Sequence, residues 1–361
     1  MTEPVQVPQA PAEPTRFLGD IHRLRGVAIL LIVATHCLYF FHWTDHPQLQ
    51  NALSDLLDNS TLLFVFISGY LFLHGSGSFS YPRYLLTKVR NVILPFALAS
   101  LPAIALELRH DSLAFAAPAL HELSLPARIG YLYLYPGAHV NYALWFIPVV
   151  AIYYLASPLL LWVSRRPLRY ALLCLLVPLS ILMHRPSYAH NHNLALALYF
   201  VPAYLLGMGC RQYRPQTLAV LERHLHWFAA AFGALFVAHL LLSAHHGKYT
   251  FTQPFEFHGQ GAIDWSFVQK LLLVPLLCGL AWRWRHLRLT VLDYLADVSF
   301  TVFFLHLYVI FVASWLLHWR TVEVSGVGLA TLFAAAVLLP CAVASSSRRL
   351  LPVWSRSLVG S

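Results

Sequence analysis

Arg25 and His36 lie on one apolar run, RLRGVAILLIVATHCLYFFHW, with ten residues between them. On a helix that spacing carries the imidazole about 16 Å beyond the guanidinium. An arginine at the polar boundary of a membrane can pair with phosphate oxygens. An imidazole deep in apolar surroundings is costly unless it has a partner or faces a cavity. In its neutral form it can take a proton from a hydroxyl or attack a carbonyl carbon itself. Taken alone, Arg25 reads as an interfacial anchor, and His36 reads equally as a packing residue or a functional one. His306 sits about ten residues into a later apolar run, hence about 15 Å deep by the same rise. Completing a site with His36 and simple packing are both open to it. Lys270, near the end of its apolar segment, reads as a side chain that snorkels to the interface.

The elements that must position these groups are membrane spans. Of 361 residues, 58% are hydrophobic and 11% charged, with mean hydropathy +0.62, which excludes a water-soluble globule. A bilayer core about 30 Å thick takes about 20 apolar residues per helix. Such segments run Arg23–Trp43, Leu56–His74, Asn91–Leu108, Tyr142–Val163, Leu168–Met183, Leu194–Cys210, Leu225–Ser243, Ser266–Trp282, Ala296–His318 and Val327–Ala344. The expected fold is therefore all-α, a polytopic bundle of about ten spans. Residues 1–15, rich in Pro and Glu, read as a disordered tail, 16–345 as the transmembrane domain and 346–361 as a basic tail.

Alternate connections collect the basic residues: Arg83, Lys88 and Arg90; Arg165, Arg166 and Arg169; Arg211, Arg214 and Arg223; Arg283, Arg285 and Arg288; Arg348, Arg349 and Arg356. By the positive-inside rule these are cytoplasmic, as are both termini. The net charge of +9 is thus a product of membrane insertion and implies no nucleic-acid partner. The five cysteines are scattered one per apolar segment, and the histidines show no ligand spacing, so neither a disulfide framework nor a metal site is implied.

A succession of short motifs resembles the acyltransferase 3 family of membrane acyltransferases. Arg25, Gly26 and His36 match its first-helix signature; LFVFISGYLF, with Phe66, Ser68, Gly69 and Tyr70, is similar to its second-helix run. KVRNVILPF carries Lys88, Arg90 and Pro95; ALWFIPVVAIYYLASPLL carries Trp145 and Pro158. YFVPAYLLGMGC resembles a Leu-Gly turn at Gly207, and DVSFTVFFLHLYVI carries Ser299 and His306. His22 stands where many members have an acid, and Lys88 and Arg90 replace an Arg-x-x-Arg pair.

The resemblance implies an acyltransferase of the cell membrane, in a bacterium the inner membrane, that transfers an acyl group, acetyl or succinyl, from cytoplasmic acyl-CoA to a hydroxyl. The acceptor would be an extracytoplasmic or lipid-linked glycan, and no cofactor is held permanently. Arg25, Lys88 and Arg90 would bind the donor phosphates, His36 would act as general base or acyl carrier, and Ser68, Tyr70 and Trp145 would line the site. As plain membrane aromatics, Tyr70 and Trp145 also have an ordinary interfacial reading. The rival reading is a transporter moving a glycan or small anion with no covalent step, which would show paired broken helices.

Overall fold

A computed structural model describes residues 18–110, 122–134, 142–186, 193–243, 245–248, 250–251, 263–317 and 322–361. The expected N-terminal tail lies outside the described residues. Backbone amides in lipid have no water to bond, so apolar runs of this length close their hydrogen bonds internally as helices.

The chain begins with α1 (Gly19–Leu38), α2 (Pro47–Leu57), α3 (Thr61–His74) and α4 (Tyr81–Lys88); a π-turn (Val89–Ile93) then joins α4 to α5 (Leu94–His110). After α6 (Leu125–Leu134) and a 3-10 turn at Tyr142–Trp145 come α7 (Phe146–Leu155), α8 (Ser157–Ser164) and α9 (Leu172–Met183). The second half holds α10 (Asn193–Gln212), α11 (Arg214–Leu242), α12 (Trp265–Arg283), α13 (Thr290–Asp297), α14 (Ser299–Leu317), α15 (Gly326–Leu350) and α16 (Ser355–Val359). Two-residue strands β1 (Arg185–Pro186) and β2 (Thr250–Phe251) pair in parallel.

Among the described residues, eight helical stretches are long and apolar enough to cross a bilayer. A ninth, Tyr142–Leu155 with Ser157–Ser164, is bent by 61°. The bend falls at Pro158, whose missing N–H breaks the helical ladder, so α7 ends with Ala156 N–H bonded to Ile152 and α8 restarts from the Ala156 carbonyl. The segment expected at Leu168–Met183 is a short apolar stretch, Pro167–Met183, whose first turn is 3-10. Among the described residues, the ten expected segments therefore correspond to eight long apolar helices, one bent pair and one shorter apolar stretch.

α1 is the central helix, touching α2, α3 and α12 to α15. The tightest helix pair is α3 with α10. A Cβ at Gly69 would lie 2.0 Å from the Tyr204 carbonyl oxygen, and one at Gly207 would lie 2.0 Å from that of Phe66. Small residues let helix backbones approach in lipid, where packing has to replace the hydrophobic drive. Gly207 is thus a mid-helix contact point in α10, not the turn its motif suggested. On the other flank of the bundle, Gly26 of α1 meets the Leu292 carbonyl of α13 in the same way, at 2.5 Å.

The C-terminal stretch read as a basic tail is folded into the bundle. Ser355 and Ser357 are buried, Thr301 of α14 donates to the Val359 carbonyl at 2.8 Å, and Arg90 donates to the Ser357 hydroxyl at 3.3 Å. Gly360, in the left-handed region, closes α16 against Phe300 and Phe304.

Replacing Gly69 or Gly207 by Ala sets a methyl group against backbone, so the helices must part, and overpacking of that kind costs about 1–3 kcal/mol or more. Thermal unfolding of the purified protein in detergent should show a clear drop for either variant. Gly130→Ala, where nothing lies within 4 Å, should leave the midpoint in place.

Candidate functional site

The positions on α1 dictate where chemistry can occur. Arg25, Ile32 and His36 are spaced by seven and four residues and share one stripe of the helix; Thr61, Phe64 and Ser68 form the matching stripe of α3. Arg25 and Ser68 open on a cavity of about 600 Å³ at the N-terminal end of α1. Ile32, Thr61 and His36 open on a separate, narrow cleft of about 30 Å³ farther along the same helices.

The large cavity gathers Arg25, Arg83, Lys88, Arg348 and Arg356, with Asp297 as its one acidic lining residue. Arg25 is held by its Nε–H bond to the Ser299 hydroxyl at 2.6 Å and lies 5.4 Å from the Phe300 ring centre. Lys88 sits between the rings of Tyr84 and Tyr154, 5.1 and 5.0 Å from their centres. Five basic side chains against one acidic side chain give this cavity a positive potential. Arg90 does not join them: the π-turn that starts just after Lys88 leaves it exposed, and its Nε–H reaches Ser357 instead. Tyr70 also lies elsewhere. Its hydroxyl accepts from Arg214, which also clasps both oxygens of Asp20 at 3.0 and 3.1 Å, and the three line another cavity of about 450 Å³.

His36 and His306 come together, their ring centres 5.2 Å apart, with Tyr142 edge-on to His36 at 5.4 Å. His306 is fully buried, and its Nδ1 lies 2.9 Å from the carbonyl oxygens of both Val302 and Phe303. Carbonyls only accept, so Nδ1 carries the proton and Nε2 presents a lone pair. That Nε2 has no hydrogen-bond partner among the described residues. An aromatic chain links the histidines to the large cavity: Phe303 lies 6.2 Å from His306 and 5.7 Å from Phe146. Phe146 in turn lies 6.4 Å from Phe64, on the cavity wall.

Around the narrow cleft stand Thr35, Asp58, Asn59, Ser60, Trp145, Arg185 and Lys248. Trp145 therefore lies at the histidine cleft, away from Ser68 in the large cavity. A polar network sets this end. The Asp55 carboxylate accepts from Gly247 N–H at 2.7 Å and from the His246 ring at 2.8 Å. Asp58 accepts from Lys248 N–H at 3.1 Å and from the Tyr39 hydroxyl. These bonds bring the loop 245–248 over the cleft. Burial pushes the Lys248 ammonium below its ordinary value, opposed by nearby Asp58. Lys270 does not snorkel: it is fully buried and donates to the Asp55 carbonyl at 2.9 Å and to Gln269 at 3.0 Å. Its partner lies across the fold, which is why its place in the sequence misleads.

Sequence reasoning passed over Arg83, Arg348 and Arg356, taken as loop charges, and Asp58, Asn59, Arg185 and Lys248. The run Asp58-Asn59-Ser60-Thr61 ahead of an apolar helix was the available signal; nothing in the sequence marks Arg185 or Arg356.

A family model described as an acyltransferase domain matches residues 18–345. No curated protein and no solved structure matches the chain.

If the large cavity binds phosphates, coenzyme A itself should bind the purified protein, and titration calorimetry can read the affinity. A charged hydrogen bond is worth about 1.5–3 kcal/mol, so Arg25→Ala, Lys88→Ala and Arg356→Ala should each weaken binding about tenfold or more. Arg90→Ala should change it little. Equal weakening by Arg90→Ala would show a general surface-charge effect.

Proposed function

The chain belongs to the acyltransferase 3 family and is an integral membrane enzyme that transfers acyl groups; from that premise we propose that it is an O-acyltransferase using cytoplasmic acyl-CoA, with acetyl the group transferred. The supporting observation is the end-to-end placement, along the same faces of α1 and α3, of a polycationic cavity and a narrow cleft lined by His36, whose ring meets His306. Coenzyme A carries several phosphate charges on one end of a thin, nearly apolar pantetheine arm. Phosphates held by Arg25, Lys88, Arg348 and Arg356 leave that arm to extend along α1, and the rise of about 16 Å from Arg25 to His36 is of the length it needs. On its way the arm displaces the Phe64 ring, which stands between the two spaces.

At the cleft, His36 takes the proton of an acceptor hydroxyl as that oxygen attacks the thioester carbonyl, or itself forms a transient acyl-imidazole. His306, with its Nε2 lone pair free, is positioned to relay or receive the proton. In this reading the acceptor reaches the cleft from the extracytoplasmic end, a hydroxyl of an exported or lipid-linked glycan in the inner membrane of a bacterium. Ser68 lies beside the donor path and Trp145 beside the acceptor. Arg90 and Tyr70 support the bundle from outside both spaces.

Membranes containing the native chain should move radiolabel from acetyl-CoA to envelope glycan, and His36→Ala should lose at least about a hundredfold of that rate, the usual scale of a general-base contribution. His306→Ala should fall between the two. Undiminished label with His36→Ala would remove the histidine from the chemistry. No label with any protein would point to an acyl donor other than acetyl-CoA.

A further inference from the structure

Arg185 is 5% exposed and is held at the cleft that contains His36. Its guanidinium lies over two aromatic faces, 4.8 Å from the Trp145 ring centre and 5.7 Å from that of Phe200. Among the described residues its one hydrogen bond to a side chain is a long one, Nη1–H to the Asn59 side-chain carbonyl oxygen at 3.5 Å. Nε has no partner, and no carboxylate stands within ion-pair distance among the described residues.

Arginine does not shed its proton in proteins, so this charge persists. Enclosing an unpaired charge costs several kcal/mol, whereas cation–π contact returns about 0.5–2 kcal/mol. Packing alone does not balance the cost. The backbone is also strained here: the non-glycine residues at positive φ among the described residues are Asn59, at 61°, and His184, at 56°. One touches the Arg185 side chain and the other precedes Arg185 in the chain. Strain of this kind persists where surrounding structure holds a functional group in place, and the β1–β2 pairing, Arg185 with Thr250, supplies that hold.

A cleft of about 30 Å³ has room for about one water-sized group, so the side chains around it converge on the same small volume. We infer that Arg185 is a further catalytic residue, a fixed guanidinium that binds the oxyanion formed when the thioester carbonyl is attacked beside His36. This rests on the acyl-transfer reading above. The acceptor hydroxyl gives its proton to the imidazole, its oxygen bonds to the carbonyl carbon, and the carbonyl electron pair moves onto oxygen, where the Arg185 N–H groups meet it. Collapse restores the C=O bond and breaks the C–S bond, and the departing thiolate takes the proton back from the imidazolium. An acyl-imidazole route passes through an oxyanion at the same carbon, so Arg185 serves either route. Preorganised donors of this kind are worth about 10²–10³ in kcat.

The test measures initial rates of radiolabel transfer to endogenous glycan, across acetyl-CoA concentrations, in membranes holding equal amounts of full-length chain. Arg185→Gln should lower the maximal rate at least about a hundredfold with the donor KM within about threefold, and Arg185→Lys should restore part of it. Thermal unfolding of each variant in detergent separates this from misfolding. A maximal rate that survives Arg185→Gln, a loss confined to KM, or a loss equal to the loss of folded protein would each overturn the assignment while leaving the acyl-transfer reading intact. A native chain that transfers no label would overturn both.

Discussion

Ionisable groups in a bilayer have to be enclosed by protein or partnered, because lipid offers them neither hydrogen bonds nor a high dielectric. Much of this bundle follows from that requirement applied to α1. The helix carries Arg25 near one end and His36 near the other, and it is surrounded by α2, α3 and α12 to α15. Ser299 and Phe300 at the start of α14 receive Arg25, and His306, two turns on, meets His36. One pair of helices thus sets both spaces, and their separation is a consequence of helical rise.

Close approach of backbones makes the enclosure possible. Gly69 against Tyr204, Gly207 against Phe66 and Gly26 against Leu292 remove the side-chain layer that normally keeps helices apart. α3 is thereby locked onto α10, with Ser68 beside one locked position and Phe64 on the wall of the large cavity. The motif glycines therefore have a structural role, bringing backbones together.

The end of the bundle near His36 is organised by charge. Asp55 and Asp58 bind the backbone of the loop 245–248, and Lys270 caps the Asp55 carbonyl from inside. Tyr199 ties Asn59 to Asp264 through bonds of 2.7 and 2.8 Å. Such a network is costly if half-satisfied and rigid when complete, and it surrounds the cleft that Arg185 and Lys248 share with His36. At the opposite end Arg25, Arg83, Lys88, Arg348 and Arg356 line one cavity, with Asp297 as its acidic side chain.

Composition and hydropathy sufficed for an all-helical membrane bundle, because lipid permits few other solutions for runs of apolar residues this long. Spacing along α1 sufficed to pair Arg25 with His36 at a fixed distance, since a helix has one rise per residue. Lys88, Ser68, Trp145 and His306 were legible as motif residues, though not the division that places Ser68 and Lys88 in one space, Trp145 at the other and His306 against His36. Tertiary structure alone decided that Arg90 and Tyr70 stand apart, since a π-turn and the partner Arg214 redirect them. It alone brought Arg185, Lys248 and Asp58 to His36, and Arg348 and Arg356 to Arg25. Those residues are separated by tens to hundreds of positions, and a charge in a loop looks the same in sequence whether it faces water or turns inward. The difference lies in which helices pack together, and that is settled by contacts between backbones that no local pattern records.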